Sequence, residues 1–293
     1  LFAGDVVYVD ATAQGMQNGT QAAPYDSLAK GVANAPGGAT LLVAAGSYDT
    51  SVEIDQTLTV WGSCADRVTL VSSGTDAAVT FMAGSDDSVL RGVAITGGGG
   101  VRIEDAADVS VQEVRAHALA VYAIVAERLT APTSVTVTDS SIEGATGRGV
   151  YTVSASTTLE RVSIRDMVED DGKMGRAIDT DVHELANSVS ARSVYVAGGI
   201  EVAVLAHATH LEIHDSLIRD TLPRSDGRFG RALSVQSDAA HEPSSLRMTG
   251  SVVDGARDAG LFATAADVEV ERTVVRNIDV NLDARWRGYG LVS

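Results

Sequence analysis

Residues 211–218 are Leu-Glu-Ile-His-Asp-Ser-Leu-Ile, and they show the motif that the rest of the chain repeats. Apolar and polar side chains alternate over its first four residues, as in a strand with one buried face. Another aliphatic residue, Ile218, follows five positions after Ile213. Pairs with the same separation recur along the chain: Leu90 and Ile95, Val137 and Ile142, Leu159 and Ile164, Ala191 and Val196, Met248 and Val253, Val270 and Val275, with Val111 and Ala116 as a weaker pair.

The phrases follow a basic unit of about 22 residues that sometimes carries an insertion. Between them lies a second short strand, often opened by Gly or Ala, at residues 100–103, 149–152, 177–180, 232–235 and 260–263. Stacking such units brings equivalent aliphatic side chains into columns, one coil apart at about 4.8 Å. The pattern predicts an all-β fold, a right-handed parallel β-helix, because crossovers between parallel strands are right-handed. A β-sandwich is the rival fold, and it would not require columns at this period.

The polar positions of the phrases support this register. One predicted outward column contains Ser190, Glu212, Arg247 and Glu269, and a second contains Glu160, Arg192, His214, Thr249 and Glu271. Opposite charges fall on neighbouring coils at several steps, although exposed ion pairs stabilise a protein only weakly. The columns therefore indicate how the coils align.

Residues 1–38 differ from the repeats and are predicted to form an N-terminal cap, continuous with the solenoid of residues 39–293. Within this cap, residues 26–34 predict a short amphipathic helix with Asp26 or Ser27 as its N-cap. A helix in this place would cover the backbone edges and apolar columns at the open end of the first coil.

The other end of the chain has no segment of this kind. Residues 288–293, Gly-Tyr-Gly-Leu-Val-Ser, start a further coil. This pattern predicts that the natural protein continues past Ser293 or that a second copy covers the last coil.

The overall charge limits the partners. The chain has 22 Lys and Arg against 39 Asp and Glu, a formal net charge of −17, which repels nucleic acid and anionic membrane surfaces. No apolar stretch approaches the ~20 residues of a membrane span. Cys64 is the only cysteine, so an intrachain disulfide is excluded. We therefore expect no nucleic-acid partner and no membrane insertion.

Three N-terminal phrases resemble the start of the pectin-lyase-like superfamily: residues 7–10 (Val-Tyr-Val-Asp), 23–28 (Ala-Pro-Tyr-Asp-Ser-Leu) and 43–48 (Val-Ala-Ala-Gly-Ser-Tyr). The coils resemble the generic right-handed β-helix repeats of that superfamily, which are common in secreted bacterial proteins. The resemblance covers essentially the whole chain and implies an extracellular or cell-surface location. It implies no particular activity, because the superfamily contains lyases, hydrolases, esterases, epimerases and adhesins.

Catalytic motifs of the enzyme branches are missing. The sequence has neither the Gly-His-Gly and Arg-x-Lys of polygalacturonase-like hydrolases nor the Trp-x-Asp-His of pectate-lyase-like enzymes. Pectin methylesterases share a Gly-x-Tyr with residues 46–48, but their later phrases, Gly-x-x-Asp-Phe-x-Phe-Gly and Leu-Gly-Arg-Pro-Trp, are absent. These departures favour a non-enzymatic protein and leave an unusual enzyme open.

The best candidate for a binding site is a long corner loop that recurs at about every second coil. Its copies span residues 167–174, 221–229 and 278–287. Loops on a rigid scaffold often carry binding function, and arginines beside aspartates could hold carboxylate or hydroxyl groups of a glycan. The predicted ligand-binding residues are Arg165, Asp166, Arg176, Arg219, Asp220, Arg231 and Arg276, with Tyr151 as an exposed aromatic residue on a second strand. The alternative is that each arginine after a loop pairs with the aspartate before it and only pins that loop.

Calcium is a further candidate ligand. Asp170 and Asp171 in the first loop, with Asp179 and Asp181 on the next strand, could gather oxygen ligands for Ca²⁺. Their spacing is neither that of an EF-hand nor that of a Gly-rich calcium-binding nonapeptide. A solvated acidic loop is the alternative, and on that interpretation the protein needs no cofactor.

Three functions fit the sequence. The first is an extracellular or cell-surface β-helix scaffold that binds a polysaccharide or another surface protein along the repeated loops. The second is a polysaccharide lyase or glycoside hydrolase with an atypical Arg/Asp site. The third is a structural spacer of a longer surface protein. Because the catalytic motifs are missing, the sequence favours the first.

Overall fold

Short parallel strands make up most of the protein. The computed structural model describes residues 5–183, 185, 187–237, 240–279 and 289–292. The chain divides into two compact units, residues 1–141 and 142–293. Each unit is a stack of coils whose strands pair in parallel, so the predicted parallel β-helix is confirmed and the rival β-sandwich is wrong.

The first unit begins with a strand and a helix and continues with strands only. Its elements are β1 (Val6–Val9), α1 (Leu28–Asn34), β2 (Thr40–Val43), β3 (Gly46–Asp49), β4 (Val52–Ile54), β5 (Thr59–Gly62), β6 (Val68–Phe81), β7 (Val89–Arg91), β8 (Ala94–Glu104), β9 (Val109–Gln112), β10 (Arg115–Leu119), β11 (Tyr122–Glu127) and β12 (Ser134–Thr138).

Strands β1, β2, β5, β7, β9 and β12 pair in that order, all parallel. Strands β3 and β4 both pair with the long β6, which pairs with β8, and β8 pairs in turn with β10 and β11. Leu90 lies opposite Val111, and Val111 lies opposite Val137. All three side chains are buried, so the predicted inward column is present in this unit.

The predicted N-terminal helix is present as α1, and Ser27 is its N-cap. The hydroxyl of Ser27 accepts a hydrogen bond from the backbone N–H of Lys30 at 3.4 Å. A methyl group added to Gly31 would lie 2.7 Å from the side chain of Val9 and 3.1 Å from that of Leu41. The helix therefore packs directly against the first two strands of the unit. Within the described residues, no helix combines the length and hydropathy of a membrane span.

Glycines allow two strands of the first unit to approach closely. The run Gly97 to Gly100 lies within β8. A Cβ on Gly100 would lie 2.0 Å from the carbonyl oxygen of Ala123 on the neighbouring β11. A glycine is therefore required at this point of the β8–β11 pairing.

The second unit repeats a three-strand coil. Its elements are β13 (Ser141–Glu143, at the boundary), β14 (Arg148–Val153), β15 (Ser156–Glu160), β16 (Ser163–Arg165), β17 (Arg176–Asp181), β18 (Asn187–Arg192), β19 (Tyr195–Ala197), β20 (Val202–His207), β21 (Thr209–His214), β22 (Leu217–Arg219), β23 (Arg231–Gln236), β24 (Ser245–Thr249), β25 (Val252–Asp254), β26 (Ala259–Thr264), β27 (Asp267–Glu271), β28 (Val274–Arg276) and β29 (Tyr289–Val292).

Within this unit the strands form three parallel series. Sheet 1 contains β15, β18, β21, β24 and β27. Sheet 2 contains β16, β19, β22, β25 and β28. Sheet 3 contains β14, β17, β20, β23, β26 and β29. The chain visits sheets 3, 1 and 2 in turn, and the corner loops connect sheet 2 to sheet 3.

The predicted columns of the second unit are confirmed by the register. Leu159, Ala191, Ile213 and Met248 lie opposite one another along sheet 1 and are buried. The outward column Ser190, Glu212, Arg247 and Glu269 is also in register, as is the column from Glu160 to Glu271. One aliphatic core therefore runs through this stack, and the polar residues of the same strands face away from it.

Candidate functional site

Arginines open three strands of sheet 3. Arg148, Arg176 and Arg231 are the first residues of β14, β17 and β23. Arg148 lies directly opposite Arg176, and Arg231 lies opposite Val202 on β20. Neighbouring strands are about 4.8 Å apart, so adjacent guanidinium groups require carboxylates between them. A fourth arginine, Arg224, comes from the second corner loop.

Four carboxylates meet these arginines. We call the whole set the arginine row, and it consists of Arg148, Arg176, Arg224 and Arg231 with Asp179, Glu201, Asp226 and Asp258.

Asp179 links the first two arginines of the row. Its Oδ2 accepts a hydrogen bond from Arg148 Nε at 2.8 Å, and its Oδ1 accepts one from Arg176 Nη1 at 3.0 Å. Only 2% of the aspartate is exposed. Two charge-assisted hydrogen bonds thus compensate a carboxylate that has been removed from water.

Glu201 occupies the centre of the row. Its Oε2 accepts a hydrogen bond from Arg176 Nε at 2.8 Å, and its Oε1 lies 3.6 Å from Arg224 Nη1. The residue is buried, and its backbone has φ of 72°, a left-handed conformation that is unusual for glutamate. Its carbonyl accepts hydrogen bonds from the N–H groups of Gly230 and Arg231. Surrounding structure therefore holds Glu201 in a strained conformation between two cations.

The remaining pairs complete the row. Arg224 also bonds Asp226, and Arg231 Nε donates to Asp258 Oδ2 at 2.7 Å. Burial opposes the charge on Arg176, but Asp179 and Glu201 outweigh this effect and raise the pKa of its guanidinium above the ordinary value. Ion pairs form a continuous chain from Arg148 to Asp226, and Arg231 with Asp258 forms a separate pair. These pairs orient each guanidinium group.

Aromatic rings accompany the arginines. The guanidinium carbon of Arg148 lies 4.2 Å from the ring centre of Tyr151, and that of Arg231 lies 3.9 Å from Phe262. The ring of Phe229 lies 5.3 Å from both Arg224 and Arg231. All three rings are partly exposed. Cation–π contacts therefore fix these rings at the surface of the row.

Asp181 and His207 are the last residues of β17 and β20, at the opposite end of sheet 3 from the arginines. The Tyr151 hydroxyl lies 3.4 Å from Asp181 Oδ2, and His207 Nδ1 lies 3.7 Å from Asp181 Oδ1. The rings of His207 and His241 are 6.0 Å apart and nearly perpendicular. Tyr151 therefore contacts Arg148 of the row and also Asp181, the neighbour of His207.

Two corner loops lie side by side, as the repeat predicts. Glu169 in the first loop accepts a hydrogen bond through its Oε1 from the backbone N–H of Ser225 in the second, at 2.9 Å. The third loop, residues 278–287, lies outside the described residues from position 280 onward. The two described loops form a joined border beside the arginine row.

The arginines predicted to bind a ligand lie in two separate places in the structure. Arg176, Arg231 and Tyr151 belong to the arginine row or lie against it. Arg165, Arg219 and Arg276 share a separate register position on sheet 2. Their guanidinium groups pair with Glu143 at 2.8 Å, Asp220 at 2.7 Å and Asp254 at 2.9 Å, respectively.

The predicted pairing of the arginine after each loop with the aspartate before it is wrong. Arg176 bonds Asp179 and Glu201 rather than Asp166, and Arg231 bonds Asp258 rather than Asp220. Asp166 and Asp220 instead have positive φ, 54° and 52°, which aspartate tolerates better than most residues. They are turn residues at the exit from sheet 2.

Four aspartates predicted as weak calcium ligands are not gathered at one point. Asp179 is bound by two arginines, Asp181 contacts Tyr151 and His207, and Asp170 forms a local turn with Met174. In the described part of the chain, no group of three or more His, Cys, Asp or Glu residues could hold a metal ion.

Sequence reasoning missed Arg148, Glu201, Arg224 and Phe229. One signal could have found Arg148, because a Gly-Arg pair stands at the start of each of the three strands, at residues 147–148, 175–176 and 230–231. Glu201 precedes β20 as Asp258 precedes β26, in equivalent register, and each pairs with the arginine that opens the strand before, Arg176 or Arg231. Only the folded structure shows that Glu201 also lies beside Arg224.

No protein-family model matches the sequence, and no curated protein matches it. Solved structures share its fold. An alginate lyase from Paenibacillus sp. str. FPU-7 superimposes with a TM-score of 0.70 at 14% identity, over 99% of each chain. Pectin methylesterase from carrot gives 0.56 at 12% identity, over 99% of this chain and 89% of that chain.

A viral protein, ORF18 of Geobacillus virus E2, gives a TM-score of 0.51 at 9% identity, over 92% of this chain and 59% of that chain. At such identities the likeness concerns the fold alone. The chain therefore shares the parallel β-helix fold of the alginate lyase and the pectin methylesterase.

Proposed function

We propose that this protein is a glycan-related β-helix protein that binds a polysaccharide along the arginine row. The observation that carries the proposal is the placement of three partly exposed rings, Tyr151, Phe229 and Phe262, against oriented guanidinium groups. Polar groups that converge beside aromatic surface are typical of sites that recognise a polar ligand with an apolar face, as a sugar ring has.

The comparisons support the same class of ligand. Two proteins of this fold are named for enzymes of alginate and pectin, which are polysaccharides. Polysaccharides of this kind occur outside the cell, so we expect an extracellular or cell-surface protein. The border formed by the two corner loops would lie along the bound chain.

Affinity electrophoresis and calorimetry with a panel of soluble polysaccharides test the proposal. Phe262→Ala should weaken binding about five- to tenfold, because an aromatic contact contributes about 1 kcal/mol. Tyr195→Ala is the matched control, since Tyr195 is a partly exposed aromatic residue of sheet 2 in the same unit. Equal losses in the two variants, or no binding to any polysaccharide, would contradict the proposal.

Cleavage of the bound polysaccharide is the second candidate function, and Glu201 favours it. A buried carboxylate in a strained backbone conformation beside two arginines is more typical of active sites than of surfaces. The activity would be that of a lyase or a hydrolase.

Incubation of the same panel distinguishes these reactions, because a lyase forms unsaturated, ultraviolet-absorbing ends and a hydrolase forms only reducing ends. Glu201→Gln should abolish turnover while polysaccharide binding remains. No product from any polysaccharide would leave binding as the function.

A further inference from the structure

The arginine row carries no net charge. Its four arginines face four carboxylates, and every guanidinium group already has at least one carboxylate partner. We infer that the row binds a neutral polysaccharide, one whose sugars carry neither carboxylate nor sulfate groups. This inference rests on the proposed function and names the substrate class.

An acidic sugar would have to compete with the protein's own carboxylates. To bind Arg148 or Arg176 through the nitrogens that now contact Asp179, it must displace an aspartate that is 2% exposed. The displaced carboxylate would remain buried without a partner, which is strongly unfavourable. Glu201, whose side chain is 10% exposed, presents the same obstacle between Arg176 and Arg224.

Charge around the row also opposes a polyanion. The first corner loop carries Glu169, Asp170 and Asp171 against a single cation, Lys173. The whole chain has a formal net charge of −17. Such a field lowers the local concentration of anionic polymers at low ionic strength.

A neutral sugar meets no such penalty. Its hydroxyl groups both donate and accept, so they can bond the carboxylate lone pairs and guanidinium N–H groups that face solvent while the ion pairs stay intact. The exposed parts of Tyr151, Phe229 and Phe262 can contact the apolar face of the same sugar ring.

The experiment compares neutral glycans with acidic ones. Soluble laminarin, dextran and galactomannan are titrated into the wild-type protein by calorimetry, beside polygalacturonate and alginate, at low and high sodium chloride. At least one neutral glycan should bind, with an affinity that changes less than about twofold between the salt conditions, since no counterions are released. The acidic glycans should not bind measurably.

Binding of an acidic glycan that is tighter than every neutral one, and that weakens with salt, would overturn the inference and leave the proposed function standing. Binding of no glycan in either class would overturn the proposed function, and the inference with it. The two failures are therefore distinguishable.

A gain-of-binding variant tests whether the row's own carboxylates keep acidic sugars from its arginines. Asp226→Asn combined with Asp258→Asn removes two carboxylates whose side chains are 40% and 14% exposed, and it leaves Arg231 and part of Arg224 uncompensated. Polygalacturonate, which should not bind the wild-type protein measurably, should bind this variant measurably at low salt. The control is Asp254→Asn, which frees Arg276 on sheet 2. An equal gain in the control would overturn the role given to the row.

Discussion

The hydroxyl of Ser216 accepts a hydrogen bond from the backbone N–H of Val194, one coil away, at 3.0 Å. The same hydroxyl donates to the carbonyl of His214 at 2.7 Å. Ser251 repeats this arrangement on the next coil, because its hydroxyl accepts from the N–H of Ser216 at 3.1 Å and donates to the carbonyl of Thr249. A ladder of buried hydroxyls thus satisfies the backbone at the corner between sheets 1 and 2.

Ser216→Ala should lower the free energy of unfolding by about 1–3 kcal/mol, because it leaves a buried N–H and a carbonyl without partners. Urea denaturation followed by circular dichroism measures the change. Ser188→Ala, at an exposed position of sheet 1, should change stability by less than about 0.5 kcal/mol. Similar losses in both variants would mean that the ladder contributes nothing specific.

Asp179→Ala should destabilise the second unit by about 3–5 kcal/mol, since it leaves Arg148 and Arg176 partly buried and side by side. Glu143→Ala breaks an exposed pair with Arg165, in which the two side chains are 44% and 49% exposed, respectively, and should cost less than about 1 kcal/mol. Chemical denaturation of both variants gives the comparison. A loss of unfolding free energy in Asp179→Ala as small as that in Glu143→Ala would show that the ion pairs of Asp179 contribute little to stability.

Gly100→Ala should destabilise the first unit by about 1–3 kcal/mol, because the added Cβ would press against backbone of β11 and force the strands apart. Gly37→Ala is the control, since the nearest atom to its added Cβ is 3.6 Å away, an ordinary contact. Unfolding temperatures of the two variants provide the measurement. Equal stability would mean that β8 and β11 separate without cost.

Asp105 predicts a pH dependence in the first unit. Partial desolvation acts to raise its pKa, but hydrogen bonds from Thr130, Ala131 and Leu129 outweigh this effect and lower the pKa to about 2, from 3.8. Because the pKa of Asp105 is lower in the folded protein, its ionised carboxylate stabilises the fold fully above the pKa of the unfolded chain, 3.8. This stabilisation is lost as the pH falls through about 2.

Asp105→Asn tests this dependence, since asparagine tolerates the φ of 55° at this position. The stability difference between wild type and variant should be constant at neutral pH and shrink between about pH 4 and pH 2. Urea denaturation over that pH range measures it. A difference that grows on acidification would contradict the sign of the shift.

The repeated strands could be predicted from the sequence because one physical rule determines them. Leu159, Ala191, Ile213 and Met248 must face one core, and a shift of one residue would place all of them in water. The spacing of the phrases therefore gives the register of sheet 1 residue by residue, together with its outward charges.

Partners within the arginine row could not be predicted in this way. Arg176 lies ten residues after Asp166 in the chain, yet it bonds Glu201 on the next coil. Short corners turn the chain back by backbone geometry, and the residue type of Glu201 gives no sign of its positive φ. A period in the sequence fixes which strands are neighbours, whereas the contacts of a loop depend on its own irregular path.

The attachment of both described corner loops between sheet 2 and sheet 3 has an evolutionary consequence. Each loop leaves the stack and re-enters it without contributing a strand, so a change in its length costs mainly chain entropy, which grows slowly with length. Insertions and deletions in these loops can therefore change which ligand the protein binds, while selection keeps the buried aliphatic columns unchanged. Proteins with nearly superimposable coils and unrelated ligands are the expected outcome of such an architecture.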